Sequence, residues 1–135
     1  MTDELLKELE GLVGSDNFEA DMEEIMSRLQ AEGAGFEIVK DLLGIMERHP
    51  LDDFGMPGAM VHFIEGFYPK YVPLLADSLK RSPAMQTVWM LNRCINGVEN
   101  KEEYINILKS ISENEAVDKM IRDSAREFYE FQTGQ

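Results

Sequence analysis

The chain has 135 residues, 44% of them hydrophobic, with 26 acids against 13 lysines and arginines and a formal net charge of −13. That length suits one domain able to bury about two thirds of its unfolded surface, and the mix of apolar and charged residues excludes a disordered tail. So negative a field repels phosphate backbones and excludes direct nucleic-acid binding, while the single cysteine, Cys94 in the apolar run VWMLNRCI, excludes a disulfide framework and a cysteine metal site.

A single domain over residues 1–135 is expected. The opening MTDELLKELE is acidic and amphipathic, where a signal peptide would be basic and then apolar, and no stretch of about 18 uncharged apolar residues occurs. A cytoplasmic protein with no membrane partner follows as the expectation.

Nearly every segment carries helical periodicity. Residues 18–30 place Phe18, Met22, Ile25, Met26 and Leu29 on one stripe, with Gly33 and Gly35 as terminators. Phe36, Val39, Leu42, Leu43 and Met46 repeat the pattern up to Pro50, and the two segments are expected to form a helical hairpin. Pro57 suits the first turn of a helix running through Tyr68, because a missing N–H costs little there. Pro69 and Pro73 bracket the start of the next helix. Pro83 opens another, which carries Val88, Leu91 and Ile95 and stops at Gly97. Asn100 with Glu103 makes a capping-box pattern, and a last helix from residue 116 carries Val117, Met120, Ile121, Ala125, Phe128 and Phe131 on one face. Strand-period alternation is absent. The expected fold is therefore all-α, with seven or eight short helices in antiparallel pairs, arranged as a HEAT-like α-solenoid or an irregular helical bundle.

Charge is distributed unevenly along this helical chain. Residues 1–53 hold 15 acids against 4 bases, residues 54–97 hold 2 against 4, and residues 98–135 hold 9 against 5. Asp16, Glu19, Asp21, Glu23 and Glu24, followed by Glu37, Asp41, Asp52 and Asp53, form the densest run of carboxylates, and like charges on adjacent turns repel unless a cation relieves them. These nine are the candidate partner-binding residues. The partner they call for is a basic protein domain, drawn in by electrostatic steering.

Catalytic chemistry finds little support. The DFG at 53–55 stands without the other parts of a kinase. His62 and Glu65, three apart on a helix, offer a metal two ligands at most, and the expectation is that His62 donates to Glu65 or to a backbone carbonyl. No G-x-S-x-G turn or phosphate loop occurs, and Cys94 reads as a buried thiol. No catalytic residue, metal or cofactor is expected. Trp89 and Arg93, four apart, can stack as a cation–π pair, and the nine methionines could line an adaptable groove.

Two stretches, FGMPGAMVHFIEGFY and RSPAMQTVWMLNRCINGVENKEEY, resemble the small helical immunity proteins of bacterial polymorphic and contact-dependent growth inhibition toxin systems. Residues 55–65 and 81–93 carry the resemblance: a loop with Gly55, Pro57 and Gly58 leads into a Val-His-Phe-Ile-Glu helix, and an Arg-x-Pro turn leads into a Trp-Met-Leu-Asn-Arg helix. The acidic first third lies outside it. What the resemblance implies is a cytoplasmic inhibitor that binds and neutralises one cognate toxin domain, often a nuclease. The charge pattern agrees, since a nuclease site lined with Lys and Arg is complementary to an acidic surface. The alternative is a helical adaptor that takes an amphipathic partner helix in a Met-rich groove.

Overall fold

The structure, a computed structural model, describes residues Thr2 to Gly134. Eight α-helices follow one another: α1 (Thr2–Gly11), α2 (Phe18–Ala31), α3 (Val39–Arg48), α4 (Ala59–Glu65), α5 (Val72–Arg81), α6 (Met85–Ile95), α7 (Lys101–Glu113) and α8 (Lys119–Thr133), with a 3-10 turn at Phe36–Ile38 ahead of α3. No strand occurs among the described residues, and no helix is long and apolar enough to cross a membrane.

The helices stack in two rows. The odd row packs α1 on α3, α3 on α5 and α5 on α7, and the even row packs α2 on α4 and α6 on α8. Three ion pairs follow the same rule, each joining a helix to the next but one. Glu10 accepts two hydrogen bonds of 2.8 Å from Arg48, tying α1 to α3. Glu47 accepts two from Arg81, tying α3 to α5, and Glu65 accepts two from Arg93 at 2.8 and 3.0 Å, tying α4 to α6. Bidentate guanidinium–carboxylate pairs hold one geometry, so these three fix the register of each row. Short helices cannot make a four-helix core, and contact between next-but-one neighbours is how a two-row stack buries them instead.

The expected stripe of α2 is buried in full, as are Val39, Leu42, Leu43 and Met46 of α3 and Val88, Leu91 and Ile95 of α6. The hairpin expected between residues 18–30 and 36–49 is not the main packing. The chain crosses between rows at 32–38, so α2 lies chiefly on α1 and α4, and α3 on α1, α5 and α6.

Several boundaries also move. Pro57 stands in a turn, after a cis peptide, and α4 starts at Ala59 and stops at Glu65. Asn100 does not cap α7 through its side chain; its amide donates instead to Glu103 at 2.6 Å, so the reciprocal box is not made. Helix α8 begins at Lys119, where the Asp118 carboxylate accepts from the Met120 N–H at 2.9 Å. Of its expected apolar face only Ile121 and Ala125 are buried; Val117 and Phe128 are half-buried, and Met120 and Phe131 are exposed. Helix α8 rests on both α6 and α7.

Candidate partner-binding site

The loop before α4 is built around one buried side chain. Gln86 of α6 accepts from the Phe54 N–H at 3.1 Å and donates to the Gly55 carbonyl at 2.6 Å, while the Met85 N–H donates to the Pro50 carbonyl at 2.8 Å. Phe54 is fully buried and meets Phe18 edge-on, with ring centroids 5.8 Å apart. Gly55 has φ +89°, a conformation that disfavours any Cβ, and the Asp53 carboxylate accepts from its N–H at 2.7 Å. Gly58 is required by space: a Cβ there would lie 2.3 Å from the Phe54 carbonyl oxygen. The DFG tripeptide is thus a structural turn, and it sets where α4 starts.

His62 and Glu65 do not act together. His62 is exposed, whereas both carboxylate oxygens of Glu65 bind Arg93, whose guanidinium also sits 4.8 Å from the centroid of the Trp89 ring. The expected His62–Glu65 bond is therefore replaced by a link between α4 and α6, because the longer guanidinium offers two charge-assisted bonds where the imidazole offers one. No group of three His, Cys, Asp or Glu side chains able to hold a metal occurs among the described residues. Burial pushes the Cys94 thiol up to about 11, which leaves it protonated and inert at neutral pH.

The nine candidate carboxylates occupy several places. Glu19 and Glu23 flank α2 on the side of α4. Asp21 and Glu24 fall on the opposite flank, the side of Arg28, which reaches Glu8 of α1 at 4.0 Å. A 3.6-residue period separates residues 19 and 23 from residues 21 and 24, with the buried stripe of α2 between them. Asp16 is exposed before α2. Glu37 accepts from the Gly35 N–H at 2.9 Å, and that bond lowers its pKa. Asp41 borders a small cleft shared with Asp3, Lys7, Glu10 and Arg48. Asp52 lies 3.7 Å from His49, and Asp53 bonds its own loop. The density seen in sequence is therefore divided over the two flanks of α2, helix α3 and three connecting segments.

One property unites them. Among the described residues, Asp16, Glu19, Asp21, Glu23, Glu24, Glu37, Asp41 and Asp53 make no ion pair, and Asp52 alone of the nine lies within 4 Å of a histidine ring nitrogen. The carboxylates that organise the scaffold are others: Glu10, Glu47 and Glu65. The Arg48 hydrogen bond lowers the Glu10 pKa. Burial alone would raise that of Glu47, yet the bonds from Arg81 and Ser78 outweigh it and hold the group down.

Glu19 and Glu23 overlook a cleft of about 810 Å³ between α2 and α4, whose apolar lining includes Met26, Ala59, Phe63 and Phe67. Phe63 and Phe67 stack edge-on with centroids 5.2 Å apart, and Phe67 meets Phe36 at 5.6 Å. The Met-rich groove has no counterpart here: Met22, Met26, Met46, Met60 and Met90 are buried in the core, and of the methionines only Met26 lines this cleft.

Comparison of the chain with protein-family models, with curated proteins and with solved structures finds no match.

Proposed function

We propose that this protein is an immunity protein, which binds a cognate basic toxin domain, a nuclease above all, through the acidic surface of its first half. The observation that carries the proposal is the division of labour among carboxylates. Glu10, Glu47 and Glu65 each hold an arginine and join helices, whereas eight of the nine candidate acids make no ion pair among the described residues. Folding gains nothing from that arrangement, since like charges one turn apart cost about 0.2–0.5 kcal/mol per pair. A partner carrying lysines and arginines relieves the repulsion on binding, and the field speeds its arrival by about 10- to 1000-fold at low salt.

The mechanism needs no chemistry from this chain. Carboxylates presented on a pre-folded helical stack take the place of substrate phosphates at the basic groups of the toxin, and the occupied site turns nothing over. The resemblance at residues 55–65 and 81–93 falls on the scaffold of this surface: the Gly55–Gly58 turn, the Gln86 clamp and the Glu65–Arg93 link.

Co-expression of the protein with a candidate basic toxin domain tests the proposal. Cells are expected to survive with the wild-type chain, and survival is expected to fall when Glu19, Glu23 and Glu24 are all changed to lysine in a variant of unchanged helical content. Full protection by that variant, with wild-type affinity, would assign the contact elsewhere, beginning with the cleft around Tyr68, Tyr71 and Arg93.

A further inference from the structure

The α2–α4 cleft differs from the other places where candidate acids lie, because there the unpaired charge borders half-exposed aromatic side chains. Its floor and walls carry Met26, Ala59 and the edge-stacked pair Phe63 and Phe67, its lining includes Glu19 and Glu23 of α2 and His62 of α4, and neither lysine nor arginine lines it. At its far end Phe67 leans on Phe36, whose ring Lys70 covers with its ammonium 4.6 Å from the centroid. That lysine is thereby turned to an aromatic face outside the cleft. On the opposite flank of α2, Asp21 and Glu24 adjoin the Arg28–Glu8 pair instead.

Resting on the proposed function, we propose that this cleft is the docking groove for a cationic amphipathic helix of the partner protein. Its apolar face lies on Phe63 and Phe67, and its lysines and arginines reach Glu19 and Glu23. Charge complementarity selects the occupant. An acidic or neutral apolar segment would cover the aromatics but leave two carboxylates facing a desolvated interface, at a cost that a cation removes. A nucleic acid would bring phosphates to the same carboxylates. Two helices form the walls, and a third packs into such a groove at the usual interaxial distance of about 8–10 Å. The partly exposed aromatic pair supplies the anchor that a short helix needs, since a few aromatic contacts carry most of the energy of such interfaces.

The full chain is titrated with a synthetic helical peptide that carries leucines at i, i+3, i+4 and i+7 and lysines on both flanks, and with a scrambled isomer of the same composition. The wild-type chain is expected to bind the ordered peptide at least tenfold tighter than the isomer. The double variant Glu19→Gln, Glu23→Gln is expected to lose about tenfold or more in affinity at low salt. The charge-matched variant Asp21→Asn, Glu24→Gln is expected to lose less than twofold, and Phe63→Ala, checked for native helical content, to lose several-fold at any salt. Equal losses in the two charge variants, equal binding of the two peptides, or no binding at all would overturn the groove.

The toxin domain, tested with the same variants, separates this inference from the reading on which it rests. A toxin domain that binds tightly, resists Glu19→Gln, Glu23→Gln and yields to Asp21→Asn, Glu24→Gln would refute the groove and leave the inhibitor. A groove that takes the peptide on a chain that no basic toxin domain recognises would do the reverse.

Discussion

Replacing Gln86 by methionine tests whether the buried amide sets the start of α4 and with it one wall of the cleft. The side chain is fully buried, and methionine matches its length without its polar atoms. Two groups lose their partners: the Phe54 N–H, next to a fully buried ring, and the Gly55 carbonyl, on a half-exposed residue that water can partly reach. Leaving a buried polar group unsatisfied costs about 1–3 kcal/mol, so the first loss falls in the middle of that range and the second at its low end, together about 2–4 kcal/mol. For a domain of this size the melting temperature should fall by about 6–20 °C. Urea unfolding followed by the far-ultraviolet signal measures the change, with an unaltered m-value showing that the folded state stays compact. A loss below about 0.5 kcal/mol, the size of an ordinary surface change, would refute the clamp. Glutamate at the same position is expected to be worse than methionine at neutral pH, because it turns an acceptor toward the Gly55 carbonyl.

Four further outcomes follow from the same geometry. Gly58→Ala drives a methyl group against the Phe54 carbonyl and should destabilise far more than Gly33→Ala, which meets no atom within 4 Å and carries only the left-handed backbone penalty of about 1–2 kcal/mol; thermal melts rank the two. Because its partner holds the Glu10 carboxyl below the usual range, the stability it contributes is present at neutral pH and lost as pH falls below about 4.5 through its folded value, so Glu10→Gln should flatten the acid limb of the stability curve, and an unchanged limb would contradict the pair. Glu65→Gln weakens a link whose arginine is 43% exposed, so a loss within about 1 kcal/mol is expected by denaturation, with tryptophan emission shifting as Arg93 leaves the Trp89 face. Cys94, its thiol raised to about 11, should resist alkylation in the folded chain at pH 7–8, where about one thiol in a thousand or fewer is ionised, and react only on unfolding.

What the sequence made legible was whatever a single helix decides. The stripe of α2 is readable because five apolar residues at helical spacing leave one face to bury, and the Trp89–Arg93 contact because residues four apart are neighbours on any helix. Contacts set by the meeting of two helices were not legible. Glu65 lies three residues from His62 and 28 from Arg93, yet the guanidinium wins because the fold brings it within 2.8 Å. Gln86 gave no local signal at all, since both its partners are more than 30 residues away. Asp118 is a legible cap, since an acidic residue ahead of a helical run marks its start more strongly than the apolar residues at 116 and 117 do. The split of the acidic run across α2 follows from helical period alone, but adjacency in sequence suggests one patch where the helix makes two. Phe63 and Phe67 pack on one another and on Phe36 yet remain half-exposed, on either side of Glu65, where α4 ends.

The measurement that bears most directly on the proposed function is the association rate of this protein with the cognate toxin domain, followed by stopped-flow as salt is raised, for the wild-type chain and for Glu19→Lys, Glu23→Lys, Glu24→Lys. An acidic inhibitor predicts a wild-type rate that falls steeply with ionic strength, and a variant slower by an order of magnitude or more at low salt that converges on the wild type once charges are screened. Equal rates for the two chains, flat against salt, would contradict it.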